Sequence, residues 1–223
     1  MADFLHQLWI ARFALTQGLI LTLWLSLVSI IAGTLLGIMG GVALTYGGRL
    51  VRWPVRAMVD ALRGIPVLVL ILAVFYLLTF AGINFTAVES GLIALSLFSG
   101  AHMAEIVRGA LSAIPAGQID AGKALGLSSF RIFALVLLPQ AARMIMPVWI
   151  NTGAELVKTS TLLSVIGTGE LLFRTQEVIG RNFMTLEFYS FAGALYFLIN
   201  FSIEQLGQAI SRRVGNPADI QAR

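Results

Sequence analysis

Apolar residues run without a charge from Phe13 to Gly48 and again from Gly64 to Val88. A helix needs about 20 apolar residues to cross a bilayer, so these runs predict two transmembrane helices, over residues 18–46 and 67–83. Three more apolar segments carry isolated charges. Residues 90–111 hold Glu105 and Arg108, residues 140–158 hold Arg143, Glu155 and Lys158, and residues 186–210 hold Glu187 and Glu204. Charges within a span are costly and face other helices or a wet path. These segments therefore predict membrane helices too, five in all.

Between the third and fourth spans, residues 114–138 become polar, bracketed by Pro115 and Pro139. Within them "AGQIDAGKAL" and "SSFRIFALVL" each predict a short helix, with Gly126 between and Ser128 or Ser129 as N-cap of the second. Residues 167–183 alternate polar and apolar positions and predict one more short helix outside the spans. In the first span Ser29, Gly33, Gly37 and Gly41 recur at spacing four, a stripe that admits close helix approach within the chain or between subunits. Pro147 lies one turn before Asn151 and predicts a bend that frees backbone groups to line a cavity.

Composition agrees with this pattern. The 223 residues are 58% hydrophobic and 12% charged, with a mean hydropathy of +0.88, against about half apolar and a quarter charged in an ordinary soluble domain. The fold class is an all-α membrane protein, a single domain over residues 1–223. Without cysteine there is no disulfide or thiolate metal site, and His6 and His102 have no paired-ligand spacing. The net charge of +4 would suit nucleic acid, but the basic positions are better read as orienting the chain in the bilayer. With the N-terminus outside, Arg49, Arg52, Arg56, Arg63, Arg108, Lys123, Arg131, Arg143, Arg212, Arg213 and Arg223 fall on or near the cytoplasmic side; Arg12, Arg174 and Arg181 fall outside. That bias predicts N-out, C-in, with residues 114–138 as a cytoplasmic loop. The non-basic leader "MADFLHQLWIAR" and the length of the first run argue against a cleaved signal peptide.

Gly117, Gly122 and Lys123 partly match a phosphate-binding loop, but Ala124 lacks the hydroxyl such a loop needs to ligate magnesium, and no strand precedes it. A longer pattern fits better. Asp120-Ala121-Gly122, three residues, Gly126, nine residues and Val136-Leu137-Leu138-Pro139 resemble the E-A-A-x3-G-x9-I-x-L-P motif of ABC importer permeases. Asp120, Gly122 and Val136 replace Glu, Ala and Ile of that motif. The stretches "ALRGIPVLVLILAVFY", "SGAHMAEIVRGALSAIPAGQ", "LPQAARMIMPVWIN" and "VKTSTLLSVIGTGELL" resemble the polar amino acid uptake subfamily.

The resemblance implies a type I importer permease of the bacterial inner membrane that works by alternating access with a second permease chain, identical or homologous. It implies a cytoplasmic ABC ATPase dimer that binds the ATP and magnesium, an external substrate-binding protein, a polar amino acid as cargo, and no cofactor or catalytic site in this chain. A small secondary carrier or channel is the alternative, but it gives no reason for the paired loop helices. The loop contacts to the ATPase would come from Ile119, Asp120, Ala121, Gly122, Gly126, Leu127, Phe130 and Pro139. Ile119, Leu125, Leu127 and Phe130 among Asp120, Lys123 and Arg131 form an apolar knob with a charged rim, as protein interfaces favour.

Two constellations lie inside spans. His102, Glu105 and Arg108 share a helix face at spacing three, and Glu105 and Arg108 are expected to form a salt bridge. Asn151, Glu155 and Lys158, at i, i+4 and i+7, with Thr159 beside them, form the candidate substrate path. Glu155 and Lys158 either neutralise each other or meet the ammonium and carboxylate of a zwitterion. Family members often have Asp at Thr159 and an uncharged residue at Glu155.

Overall fold

A computed structural model describes residues 2–214; Arg223 and the side chains of Arg212 and Arg213 lie outside that description. The described chain is helical. Its α-helices are α1 (Ala2–Tyr46), α2 (Arg49–Gly64), α3 (Val67–Phe80), α4 (Ala87–Ala113), α5 (Ala116–Ala124), α6 (Ser129–Ile132), α7 (Leu138–Thr159), α8 (Leu171–Asn182) and α9 (Thr185–Val214). Four helical stretches, Asp3–Tyr46, Ala87–Ala113, Ser129–Ile166 and Thr185–Ser211, are long and apolar enough to cross a membrane. α3, in the region expected to be the second span, has 14 residues, about 21 Å, and meets α2 at 110°.

The stripe on α1 packs within the chain. A β-carbon at Gly33 would overlap Ser99, one at Gly37 would overlap Met103, and one at Gly41 would lie 2.5 Å from Val107 Cβ. Ser99 Oγ donates to the Ser29 carbonyl at 3.0 Å. The contacts advance four residues at a time on both helices, so α1 and α4 run parallel, and the chain returns between them through α2 and α3. Thr86 and Glu89 start α4 with a reciprocal cap, Glu89 N–H donating to Thr86 Oγ1 at 3.2 Å and Thr86 N–H to Glu89 Oε2 at 2.8 Å.

α7 runs the other way. Phe133 meets Tyr46 edge-on at 6.1 Å, Trp149 Nε1 donates to Thr34 Oγ1 at 2.7 Å, and Leu171, beyond its end, packs beside Gly18. The loop helices and α8 therefore sit at opposite ends of α1, about 40 Å apart at 1.5 Å per residue. That distance is comparable to a bilayer with its headgroups.

One expectation changes. The second loop helix is not separate, because α6 continues through a π-helical turn, Phe133–Leu137, into α7. Pro139 would break a regular helix by colliding with the carbonyl four residues back. The wider turn, in which Leu138 N–H reaches the Phe133 carbonyl, relieves that clash. α7 carries Pro147 within its length and ends as a 3-10 segment, Ser160–Ile166, whose Leu163 fills the space beside Gly91.

α8, predicted by the alternation after the fourth span, is tied down by a carboxylate. Glu170 has no exposed surface. It caps α8, its Oε1 accepting from Phe173 N–H at 2.7 Å and its Oε2 from Leu172 N–H at 3.0 Å. Tyr196 of α9 donates to Oε2 at 2.7 Å, and Thr22 of α1 accepts from Leu171 N–H at 3.1 Å. Burial holds the Glu170 carboxyl above the ordinary glutamate range, although the backbone donors and Tyr196 pull it down.

Gly37→Ala should lower stability in detergent by about 1–3 kcal/mol through overpacking, read by thermal unfolding. Gly48→Ala should not, since a β-carbon there meets nothing within 4 Å; equal stability of the two variants would contradict the close α1–α4 contact. The Glu170 carboxyl, raised in the folded state, binds its proton more tightly than in the unfolded chain. Its contribution is full below the unfolded value, about 4.3, and is lost as pH rises from there through the folded value. Glu170→Gln should flatten that part of the stability–pH curve, and parallel curves for variant and native protein would refute the assignment.

Candidate functional site

One face of α7 meets α9 at an open, polar cleft of about 760 Å³. Asn151, Glu155, Lys158 and Thr159 line it from α7, with Thr161 from the 3-10 segment and Glu204 from α9. The spacing of the α7 residues places them on one face, and a close approach of α9, where a β-carbon at Gly207 would overlap Ile150, brings Glu204 across. Asn151, Glu155, Lys158 and Glu204 are exposed to the cleft. Among the described residues no ion pair within 4.0 Å involves Glu155, Lys158 or Glu204. The cleft thus offers an ammonium, two carboxylates, an amide and hydroxyls in an otherwise apolar bundle. Glu204 is visible in sequence as a charge within a span, but only the α7–α9 contact assigns it here.

Glu105 bonds as the spacing predicts, with one added partner. Arg108 Nε donates to Glu105 Oε1 at 2.8 Å, and Arg56 of α2 donates to Oε2 at 2.9 Å. Asp60 stands 3.6 Å from Arg56. One carboxylate therefore ties α2 to α4, two turns before α4 enters the loop. His102 takes no part. Its Nδ1 lies 2.9 Å from the Phe98 carbonyl.

The loop, at the end of the bundle opposite α8, is a tight corner. α5 ends where Leu127 N–H reaches back to the Gly122 carbonyl at 3.0 Å, with Gly126 at φ +72°. That left-handed position suits glycine and closes the helix. Gly122 is explained by packing: a β-carbon there would lie 2.8 Å from Ile132 Cγ1. Ser128 is the N-cap of α6, its Oγ accepting from Arg131 N–H at 3.4 Å.

The expected knob is smaller than its sequence. Ile119 and Leu127 pack inward on the cluster around Ile132 and Leu137. Leu125 and Phe130 project outward, 80% and 78% exposed, because the Gly126 corner turns them away from the bundle. Asp120 and Lys123 stand beside them 3.6 Å apart, and Ala121 and Pro139 are exposed. Among the described residues, no group of three or more His, Asp or Glu side chains is arranged to hold a metal ion.

Residues 33–216 match the family model described as binding-protein-dependent transport system inner membrane component. The chain is 35% identical over 183 residues to the probable amino-acid ABC transporter permease protein YckA of Bacillus subtilis (strain 168), covering 82% of this chain and 81% of that protein. It is 31% identical over 209 residues to the glutamine transport system permease protein GlnP of Escherichia coli (strain K12), covering 93% and 95%. Among solved structures, an amino acid ABC transporter crystallised with histidines superposes with a TM-score of 0.88 at 28% identity, over 96% of this chain and 99% of that one. The inward-facing MetNI methionine ABC transporter shares the fold, with a TM-score of 0.79 at 23% identity over 92% and 97%. The family match over residues 33–216, with relatives and solved structures aligned over most of their own length, shows that the chain belongs to the family of binding-protein-dependent transport system inner membrane components, the permease subunits of ABC importers.

Proposed function

We propose that the chain is the permease of an ATP-driven importer for a polar amino acid and that the α7–α9 cleft is its part of the substrate path. The single observation that carries this is the cleft's charge set. An amino acid brings one ammonium and one carboxylate, and Lys158, with Glu155 or Glu204, offers a partner for each; Asn151 and Thr159 add hydrogen bonds. That no ion pair consumes these charges supports ligand contact over mutual neutralisation.

In this reading the chain is one domain with five spans, N-out and C-in, and the second crossing runs through α3 after the sharp bend from α2. The parallel run of α1 and α4 supports that count, since the chain must recross between them. α5 and the Gly126 corner face the cytoplasm and seat in an ABC ATPase, with Leu125 and Phe130 as apolar anchors beside Ile119, Asp120, Ala121, Gly122, Leu127 and Pro139. ATP and magnesium belong to that partner, and this chain catalyses no reaction. An external binding protein delivers cargo at the α8 end. A second permease chain, identical or homologous, completes the path, and closure of the ATPase dimer rocks the bundle between outward and inward states.

Gly126→Asp should leave the protein inserted but remove co-purification with the ATPase and ATP-dependent uptake, because the variant strains the corner and places a charge between the anchors. Lys158→Ala and Glu155→Ala should each reduce uptake at least about tenfold, the loss of one charged hydrogen-bond partner, while the complex still assembles. Native uptake by Gly126→Asp would sink the coupling role, and native kinetics in both cleft variants would remove those residues from the path.

A further inference from the structure

Among the described helices longer than a few residues, α2 is the most sharply amphipathic. At about 100° per residue, Arg49, Arg52, Arg56 and Arg63 fall within a narrow arc of roughly 60°, and the apolar residues fill the opposite side. That apolar side is shared between two surroundings. Val55, Val59 and Leu62 pack against Leu44, Ala101 and Ala104 of α1 and α4, while Leu50, Val51 and Met58 stay exposed, Leu50 at 94%. The helix meets α3 at 110°, so it lies across the spans rather than along them. Its orientation is anchored by Arg56, which is held by Glu105 at 2.9 Å and Asp60 at 3.6 Å.

The other arginines have no such partner. Among the described residues no carboxylate lies within 4.0 Å of Arg49, Arg52 or Arg63, and Arg52 Nη2 makes one long contact, 3.4 Å, to the Thr45 carbonyl. Trp53 stands at the border of the arginine arc, 73% exposed, where an indole with an apolar body and a polar edge favours the headgroup level of a membrane.

We propose that α2 lies in the membrane surface and binds anionic phospholipid, with Arg49, Arg52 and Arg63 on headgroup phosphates and Leu50, Val51 and Met58 at the acyl boundary. Charge complementarity selects this occupant. Guanidinium pairs well with phosphate, and an exposed apolar strip on the face opposite a cationic arc matches a helix lying between acyl chains and anionic headgroups. Through Arg56 and Glu105 the lipid-bound helix is joined to α4 near the loop. The inference uses the chain's place in the membrane and not its cargo, so either it or the amino acid reading can fail alone.

The test uses the transporter assembled with its ATPase in phosphatidylcholine nanodiscs. Lipid brominated on its acyl chains is added at equal mole fraction, as phosphatidylglycerol or as phosphatidylcholine. The difference in emission between the native and Trp53→Phe complexes isolates Trp53. Brominated phosphatidylglycerol should quench Trp53 about twofold more strongly than brominated phosphatidylcholine, reflecting local enrichment at the arginines. The double variant Arg49→Gln with Arg52→Gln should bring the two to parity, and Lys at both positions should restore the preference. Equal quenching of the native complex by the two lipids overturns the proposal, as does a preference that survives the Gln variant. Absence of quenching by either overturns it too, because protein, such as the second permease chain, would then cover the face. The native comparison decides the matter alone if the Gln variant does not assemble.

Discussion

The close, parallel contact of α1 with α4 is the constraint on which the other elements depend. Inside a bilayer there is no hydrophobic gain from bringing two apolar helices together, so contact rests on van der Waals fit and on satisfied polar groups. Gly33, Gly37 and Gly41 let α4 approach until its side chains touch the α1 backbone, and Ser99 closes the seam on the Ser29 carbonyl. Because the helices are parallel, the segment between them has to carry the chain back, and α2 and α3 do so with a sharp bend. Because α1 is 45 residues long, it also reaches both ends of the bundle. Its start packs with α8 and α9, and its end meets Phe133 beside the loop.

Irregular backbone occurs where this frame needs a change of direction or diameter. The π turn at Phe133–Leu137 admits Pro139 into a continuous helix. The left-handed Gly126 turns the chain from α5 into α6 and lifts Leu125 and Phe130 clear of the surface. The 3-10 segment after Thr159 tightens the end of α7 beside the polar cleft. Glu170 then fixes α8 against α1 and α9 with every carboxylate oxygen bonded, which makes its complete burial tolerable.

The long apolar runs made the main spans legible, because lipid imposes a nearly binary code on helices. The loop corner was legible too, since Gly126 and Ser128 carry backbone chemistry that their neighbours do not. Other features depended on contacts between distant segments. Nothing in the neighbourhood of Arg56 or Glu204 announces that one pairs with Glu105 or that the other faces Lys158; α2 and α9 have to be placed first. The 167–183 alternation revealed α8 but not that Glu170 is buried beneath it. Pro139 read as a boundary because a proline ends a regular helix, and the sequence gives no sign of the wider turn that spares this one. Ile119 and Leu127 read as exposed because the nine-residue α5 is too short for its periodicity to reveal an inner face, and Leu127 lies beyond it in the corner, where there is no periodicity at all.

The central claim is that the chain couples a polar cleft at α7 and α9 to ATP consumed by a partner at the α5 end, some tens of ångströms away along α1. The most direct measurement is ATP hydrolysis by the complete complex in proteoliposomes, with the external binding protein and a panel of polar amino acids. The account predicts hydrolysis that rises with one cargo class when its binding protein is present, together with uptake of that cargo. Uptake that proceeds without ATP, or hydrolysis indifferent to every amino acid while uptake continues, would contradict it.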